Sequence, residues 1–151
     1  MVYIGIDPGA KGSMCVIGNG KVVFKDFDLK EYSSTLKALY SPYDTELMVA
    51  IEKVHAMPGQ GVSSSFSFGQ RLGELEGMLT ALQIPYELVA PRDWQKACGI
   101  PAKSDKKGIA SVIQKLYPTA ELYGNKGGLR DGRSDALGLA HFIRLKYGRK
   151  Q

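Results

Sequence analysis

The sequence predicts an α/β domain built on a central, mixed five-stranded sheet that helices flank. Three short strand-like segments come first, and helical and strand-like segments then alternate to the end of the chain. The length of 151 residues suits one domain with a proper core and leaves no room for two full lobes. We therefore expect residues 1–151 to form a single domain.

The expected strands are β-rich or alternating runs bounded by turn residues. The first ends at Asp7, before Pro-Gly, and the second and third flank Asn19-Gly20, a strong signal for a tight hairpin. The fourth is an unbroken apolar run, which is typical of a strand buried on both faces. The predicted strands span residues 2–7, 13–18, 21–27, 47–52 and 86–89.

Apolar residues at three- and four-residue spacing predict the helices. The second helix has a leucine stripe and also Gly73 and Gly77, one turn apart; each costs about 1 kcal/mol against alanine, which makes sense if the helix packs very close to something. Segments 55–65 and 123–132 are expected to be loops, and Ser104 is expected to cap the fourth helix. The predicted helices span residues 29–40, 70–82, 91–98, 104–117 and 134–147.

The composition is that of an ordinary globular protein, with 44% hydrophobic and 23% charged residues. No apolar run approaches the ~18 residues of a membrane span, and no basic segment precedes Asp7 as in a secretory signal. Cys15 and Cys98 lack metal-type spacing, so we expect free thiols in a reducing, cytoplasmic compartment. Trp94 is expected in the core.

The net charge of +5, with a pI near 9.2, permits a polyanionic partner, because neutralising phosphates supplies most non-specific affinity for DNA. Many proteins are mildly basic, so charge alone does not establish such a partner. The basic residues gather late in the chain. They are Arg92, Lys96, Lys103, Lys106, Lys107, Lys115, Lys126, Arg130, Arg133, Arg144, Lys146, Arg149 and Lys150.

Carboxylates stand at the ends of two apolar strands. Asp7 follows Val-Tyr-Ile-Gly-Ile, and Glu52 follows Leu-Met-Val-Ala-Ile. Neighbouring strands lie about 4.8 Å apart, so the two acids can meet at one sheet edge if these strands pair. Carboxylates that close repel each other, and a hard divalent cation with a preference for oxygen ligands, such as Mg²⁺, relieves the conflict.

The last predicted helix adds two more acids. Asp135 stands near the start of an almost wholly apolar helix, and Asp131 lies four residues earlier, so both can point to one spot. Acids from separate elements are what a two-metal phosphodiesterase needs. Each acid also has an ordinary interpretation: Asp7 as a turn residue, Glu52 as the first exposed residue after a strand, Asp131 as a helix cap. The prediction rests on the combination.

This combination resembles the RuvC family of Holliday junction resolvases, within the RNase H-like and retroviral integrase superfamily. The matching stretches run in the family's order over most of the chain, and the Ile-Asp-Pro-Gly opening with a late Asp-Ala-Leu helix is more specific than either motif alone. The short loops make the chain look closer to phage or organellar-type members. The matching stretches are residues 4–12, 49–52, 70–77, 91–113 and 134–140.

The resemblance implies an RNase H-like fold and a metal-dependent crossover junction endodeoxyribonuclease. It implies that Asp7, Glu52 and Asp135 bind Mg²⁺ or Mn²⁺, with two ions in each active site. The family often spaces its last two acids three residues apart, which falls on Gly132 here. We expect Asp131 to be the fourth ligand instead, because a loop residue ahead of a helix can absorb one position.

The resemblance also implies contacts to DNA. Lys107 resembles the family's basic residue near the scissile phosphate, with Lys106 or Lys103 as substitutes. Phe66 and Phe68 resemble the aromatic position that stacks on opened bases, which is worth ~1–3 kcal/mol per base, although either ring can also be ordinary core. The expected DNA-binding side chains are those of Phe66, Phe68, Lys103, Lys106, Arg130 and Arg133.

These expectations combine into a homodimer that nicks opposite strands of a four-way DNA junction, because two sites fit the junction's two-fold symmetry. The glycine face of the second helix is the expected dimer contact or its support. The cytoplasm of a bacterial or phage-infected cell is the expected location, and no helicase partner is inferred.

Three alternatives remain. One is a phosphotransferase or ATPase of the actin and sugar-kinase type, which needs two lobes and for which the chain is too short. A second is a non-catalytic module that binds branched DNA. A third is a related nuclease that acts on RNA or RNA–DNA hybrids.

Overall fold

The computed structural model describes residues 1–43 and 46–148, so Arg149 and Lys150 lie outside the described residues. The strands are β1 Val2–Ile6, β2 Ser13–Gly18, β3 Lys21–Asp26, β4 Leu47–Glu52 and β5 Tyr86–Val89. The helices are α1 Leu29–Leu39, α2 Val62–Ala81, α3 Pro91–Ala97, α4 Lys106–Leu116 and α5 Asp131–Tyr147.

The strands form one mixed sheet in the order β3-β2-β1-β4-β5. β1 pairs antiparallel with β2 and parallel with β4, while β5 runs parallel to β4 at the far edge. The β2–β3 hairpin turns at Asn19 and Gly20, whose φ angles of 49° and 74° are those that a tight hairpin turn requires. The predicted α/β architecture with a mixed five-stranded sheet is confirmed.

Strand alternation divides the core into two apolar layers, one on each face of the sheet. Ile4, Ile6 and Ile51 pack with α1 and α2 on one face. The residues that alternate with them along the strands point to the other face, where Cys15 and Ala50, for example, pack with α3, α4 and α5. Both faces are covered, which explains why β4 is apolar from Leu47 to Ile51.

Helix α5 lies directly on β1 because the facing residues are small. Gly5 and Ala50 are partners in the β1–β4 register. A Cβ atom on Gly5 would stand 2.0 Å from the carbonyl oxygen of Ala136, so only glycine permits this contact. At the start of α5, a Cβ atom on Gly132 would stand 2.3 Å from the carbonyl oxygen of Lys11. The first turn of α5 is therefore seated against the end of the sheet.

Two helices begin earlier than predicted. α2 starts at Val62, within the expected loop, and its N-cap Gly61 provides no side-chain hydrogen bond. Serines and glycines are weak helix formers, so the sequence around Val62 carries no signal for a helix start. The first turns of α2 extend a helix that is anchored by its buried leucines. α5 starts at Asp131, so Asp131 is a first-turn residue and not a loop residue.

The expected cap of α4 is also corrected. Asp105 is the N-cap, and its Oδ1 accepts a hydrogen bond of 2.7 Å from the Gly108 N–H. The Ser104 hydroxyl turns back and donates to the carbonyl oxygen of Pro101 at 2.6 Å. Because the two capping residues are adjacent, sequence spacing does not choose between them.

The cysteines and the tryptophan lie in the interior, as the sequence predicts for Trp94. Cys15 and Cys98 are buried and free, and Trp94 is fully buried. Burial raises the pKa of Cys98 to about 12, so this thiol stays protonated at neutral pH. Within residues 1–43 and 46–148, no helix has the length and apolar character that crossing a bilayer requires.

We expect Gly5→Ala to lower the free energy of unfolding by about 3 kcal/mol or more, because the new methyl group collides with the backbone of α5. The matched control is Gly18→Ala in β2, where a Cβ atom meets Val2 methyls at an ordinary 3.5 Å. That control should change stability by no more than about 0.5 kcal/mol. Urea unfolding followed by circular dichroism compares the two; equal effects would contradict the proposed backbone contact.

Candidate active site

The sheet brings the two strand-end acids together. β1 and β4 are parallel and end at the same edge, with Ile6 beside Ile51 in the register, so the next residues, Asp7 and Glu52, continue side by side. Asp7 lies two residues after Gly5 and Glu52 two residues after Ala50, the register partner of Gly5, so both side chains are on the face of the sheet that α5 covers. The acidic edge predicted from the sequence is thus built by strand pairing and alternation.

The Asp7 carboxylate is held by the turn that follows it. Its Oδ1 accepts a hydrogen bond of 2.9 Å from the Gly9 N–H. The next peptide is tied to α2, since Arg71 Nε donates to the carbonyl oxygen of Pro8 at 3.0 Å, and the Arg71 guanidinium lies 5.5 Å from the centre of the Phe68 ring. Burial, opposed by the Gly9 hydrogen bond, raises the pKa of Asp7. Sequence reasoning missed Arg71, whose only signal is a charge beside the leucine stripe.

Glu52 meets a donor from the core. The indole Nε1 of Trp94 donates to Glu52 Oε2 at 2.8 Å. Burial raises the pKa of Glu52 to about 7, the Trp94 hydrogen bond lowers it, and the charge of Asp7 raises it further. The sequence predicts Trp94 only as a core residue, and its role as a hydrogen-bond donor to Glu52 carries no sequence signal.

Asp135 completes the group from α5. Burial, followed by the negative charges of Glu52, Asp7 and Asp131, raises the pKa of Asp135 to about 8. Among the described residues, Asp135 has no hydrogen-bond or ion-pair partner for its carboxylate. It is therefore the acid whose charge is least compensated by the chain itself.

Asp131 is paired with a lysine. Its carboxylate forms an ion pair with Lys106 on the first turn of α4, and the hydrogen bond from Lys106 lowers the pKa of Asp131. The Asp131 side chain is 33% exposed, so it lies at the rim of the acidic group. Lys107 is exposed on the same turn, and in the described structure it is Lys106 that contacts an acid of the site.

The donor chemistry of this site fits a hard divalent cation, because it consists of carboxylate oxygens whose burial is incompletely compensated. Within the described residues, however, no three Asp, Glu, His or Cys side chains form a group that could hold a metal ion as they stand. Asp7, Glu52 and Asp131 each accept a hydrogen bond from a donor of the protein.

The predicted DNA-binding arginines lie beside the acidic group and are engaged with protein atoms. Arg130 Nη1 donates to Asp26 at 2.9 Å, and Arg133 Nη1 donates to the carbonyl oxygen of Glu121 at 2.9 Å. The guanidinium of Arg133 also lies 5.2 Å from the centre of the Phe24 ring. Arg130 is exposed, while Arg133 is mostly covered.

The remaining predicted contacts divide into exposed and covered side chains. Phe66 is 73% exposed on the first half of α2, whereas Phe68 is half-buried against Arg71. Lys103 has a φ of 60° in the loop before α4 and lines a shallow pocket of about 440 Å³ with Arg92 and other residues. Of the two aromatic candidates, only Phe66 presents its ring to solvent.

The sheet order and the acidic edge define an α/β protein with an RNase H-like fold. No protein-family model matches the chain, and its sequence matches no curated protein. T. thermophilus RuvC in complex with Holliday junction substrate is similar in structure, with a TM-score of 0.67 and 16% identity over 98% of this chain and 97% of that one. The Thermus thermophilus RuvC structure gives a TM-score of 0.59 and 20% identity over 97% of each chain. The resemblance to RuvC is confirmed at the level of the fold.

Without divalent cations, we expect Asp135→Asn to stabilise the protein by at least about 1 kcal/mol near pH 8 and to have little effect near pH 4. The pKa of Asp135 is raised from 3.8 to about 8 in the fold, so its ionisation costs stability as the pH rises through this window. Urea unfolding in EDTA at both pH values measures the difference.

The control for this prediction is Glu121→Gln, an exposed acid between α4 and α5, which should change stability by no more than about 0.5 kcal/mol at either pH. A destabilised Asp135→Asn protein near pH 8 would mean that the charge of Asp135 is compensated after all.

Proposed function

We propose that residues 1–151 form a single nuclease domain that resolves branched DNA, such as the four-way Holliday junction, by metal-dependent hydrolysis of phosphodiesters. The observation that carries the proposal is the convergence of Asp7, Glu52 and Asp135 on one edge of a RuvC-like sheet, with a raised pKa at each carboxyl. Buried, mutually repelling carboxylates are costly unless they serve a purpose. Binding of divalent cations supplies that purpose.

In this proposal Asp7, Glu52 and Asp135 hold two Mg²⁺ or Mn²⁺ ions, with Asp131 as the fourth ligand. Ions held by these residues would supply activation of the attacking water and charge stabilisation for the leaving 3′ oxygen. The Gly9 N–H already holds one oxygen of Asp7 in place. Cleavage leaves 5′ phosphate and 3′ hydroxyl ends, which a ligase can rejoin.

Lys106 is our preferred contact for the scissile phosphate. It lies beside Asp131 and within electrostatic reach of Asp7 and Asp135. In the absence of a cation, the ammonium group of Lys106 neutralises Asp131. When Asp131 binds a cation instead, the ammonium group becomes available to the phosphate. Lys107, the residue that the resemblance selects, lies one position further along α4 and stays the alternative.

Phe66 is our preferred stacking residue at the opened junction. Its exposed ring has the area that base stacking uses, at ~1–3 kcal/mol per base. Phe68 packs against Arg71 and is only partly exposed. The exposed Arg130 and Lys103 extend the proposed DNA contact, and Arg133 contributes mainly by holding Asp26.

A homodimer through the outer face of α2 would place two such sites on one junction. A Cβ atom at Gly73 or Gly77 meets nothing within 4 Å, and both residues are exposed. The two glycines therefore do not pack closely against another part of the described chain, and we infer that they pack against a partner molecule. A second copy of α2 fits, because a two-fold axis presents the same stripe from both subunits.

Asp7→Asn should abolish cleavage of a synthetic four-way junction in Mg²⁺ or Mn²⁺ while leaving junction binding intact. The substitution removes a ligand charge without changing shape. Denaturing gels measure cleavage and gel shifts measure binding. The control is Asp93→Asn, an exposed acid on α3, which should cleave like the wild type. An active Asp7→Asn protein would rule out this site.

A substrate panel separates the alternatives. We expect paired, symmetric nicks in the junction and much weaker cutting of linear duplex or RNA–DNA hybrid. Preferential cutting of the hybrid would favour the RNase H type of activity. Junction binding without cut strands in either metal ion would favour the non-catalytic module.

Gly73→Glu should convert the dimer to a monomer, because it places like charges opposite each other across the two-fold axis. Light scattering gives the mass of each form. Ser111→Glu, which adds the same charge on the exposed face of α4, should stay dimeric. A Gly73→Glu protein with the mass of the wild-type dimer would move the interface away from this face.

A further inference from the structure

Trp94 has a contact that an ordinary core residue does not need. It is the chain's single tryptophan and is fully buried in the layer that α3, α4 and α5 form. Its indole N–H nevertheless donates to a carboxylate oxygen of Glu52 at 2.8 Å. This hydrogen bond joins the core directly to the acidic edge.

The indole is clamped from its other side. A Cβ atom on Gly138 in α5 would stand 2.4 Å from Trp94 Cζ3, so the ring fills the space that glycine leaves. Cys98, just after α3, donates through Sγ to the carbonyl oxygen of the same Gly138 at 3.6 Å. The ring therefore has no room to withdraw from Glu52, and its N–H direction is fixed by packing.

A fixed donor orients the carboxylate it binds. The backbone of Glu52 is held at the end of β4, and its Oε2 is held by the indole, so the direction of the remaining oxygen is set as well. Groups that orient a metal-binding side chain in this way typically change metal affinity 10–100-fold when they are removed.

We propose that Trp94 is a positioning residue for Glu52, whose fixed carboxylate then receives a divalent cation with little reordering. This inference rests on the proposed function, since it takes Glu52 as a ligand. A tryptophan that served only to fill the core would affect stability and leave the affinity for cations unchanged.

The test compares Trp94→Phe with Leu36→Ala. Trp94→Phe keeps an aromatic ring in the core and removes the N–H, and it should weaken Mn²⁺ binding about tenfold. Leu36→Ala removes buried apolar contacts from the layer on the opposite face of the sheet, away from Trp94, so it should lower the unfolding midpoint and bind Mn²⁺ like the wild type. The electron paramagnetic resonance signal of free Mn²⁺ measures the affinity.

Glu52→Gln distinguishes the failure of this inference from failure of the proposed function. If Glu52→Gln binds Mn²⁺ weakly while Trp94→Phe binds like the wild type, the positioning role is overturned and the metal site stands. If Glu52→Gln itself binds Mn²⁺ like the wild type, Glu52 is not a ligand and both proposals fall.

A second measurement uses the unaltered tryptophan and does not depend on Trp94→Phe folding. Titration of the wild-type protein with Mg²⁺ should change the emission of Trp94, excited selectively over tyrosine, with the midpoint of metal binding. The change should be absent in Glu52→Gln. Constant Trp94 emission while Mg²⁺ binds would overturn the inference.

Discussion

The contact between the backbone of α5 and that of β1 is the constraint on which the acidic site depends. Gly5 lets the helix settle onto the strand, and Gly132 lets its first turn approach the turn after β1. With larger side chains at these positions, Asp135 would stand further from Asp7. The site therefore depends on the absence of side chains at Gly5 and Gly132 as much as on the acids themselves.

This arrangement concentrates negative charge where burial makes it costly. The pKa values of Asp7, Glu52 and Asp135 are raised first of all by burial, and then by neighbouring carboxylates, which include Asp131 for Asp7 and Asp7 for the other two. The two apolar layers supply the stability that offsets this cost. Such a balance is common at functional sites, where local stability is exchanged for reactivity.

The fold could be predicted because its signals are local. Asn19-Gly20 marks the hairpin, and the apolar run of β4 marks a strand covered on both sides. The acids at strand ends could be predicted because parallel neighbours end at one edge. The early start of α2 could not, since its first turns lack capping and propensity signals and extend a helix anchored further along.

Partners of the acids were beyond sequence reasoning for a different reason. The contacts of Trp94 with Glu52 and of Lys106 with Asp131 join residues that are 42 and 25 positions apart. No periodicity or spacing rule links such pairs, because only the folded path of the chain makes them neighbours. Choosing Lys106 over its neighbour Lys107 depends on which way one turn of α4 faces.

The hydrogen bond from Arg71 to the carbonyl oxygen of Pro8 has a mechanical consequence. α2 carries Phe66 near one end and the exposed glycines further along, and Arg71 lies between them. In the proposed function, a base stacked on Phe66 or a second subunit against the glycines would displace α2, and the Arg71 hydrogen bond would carry that displacement to the peptide directly after Asp7. Contacts on the outer face of α2 would then be coupled to the position of the Asp7 carboxylate.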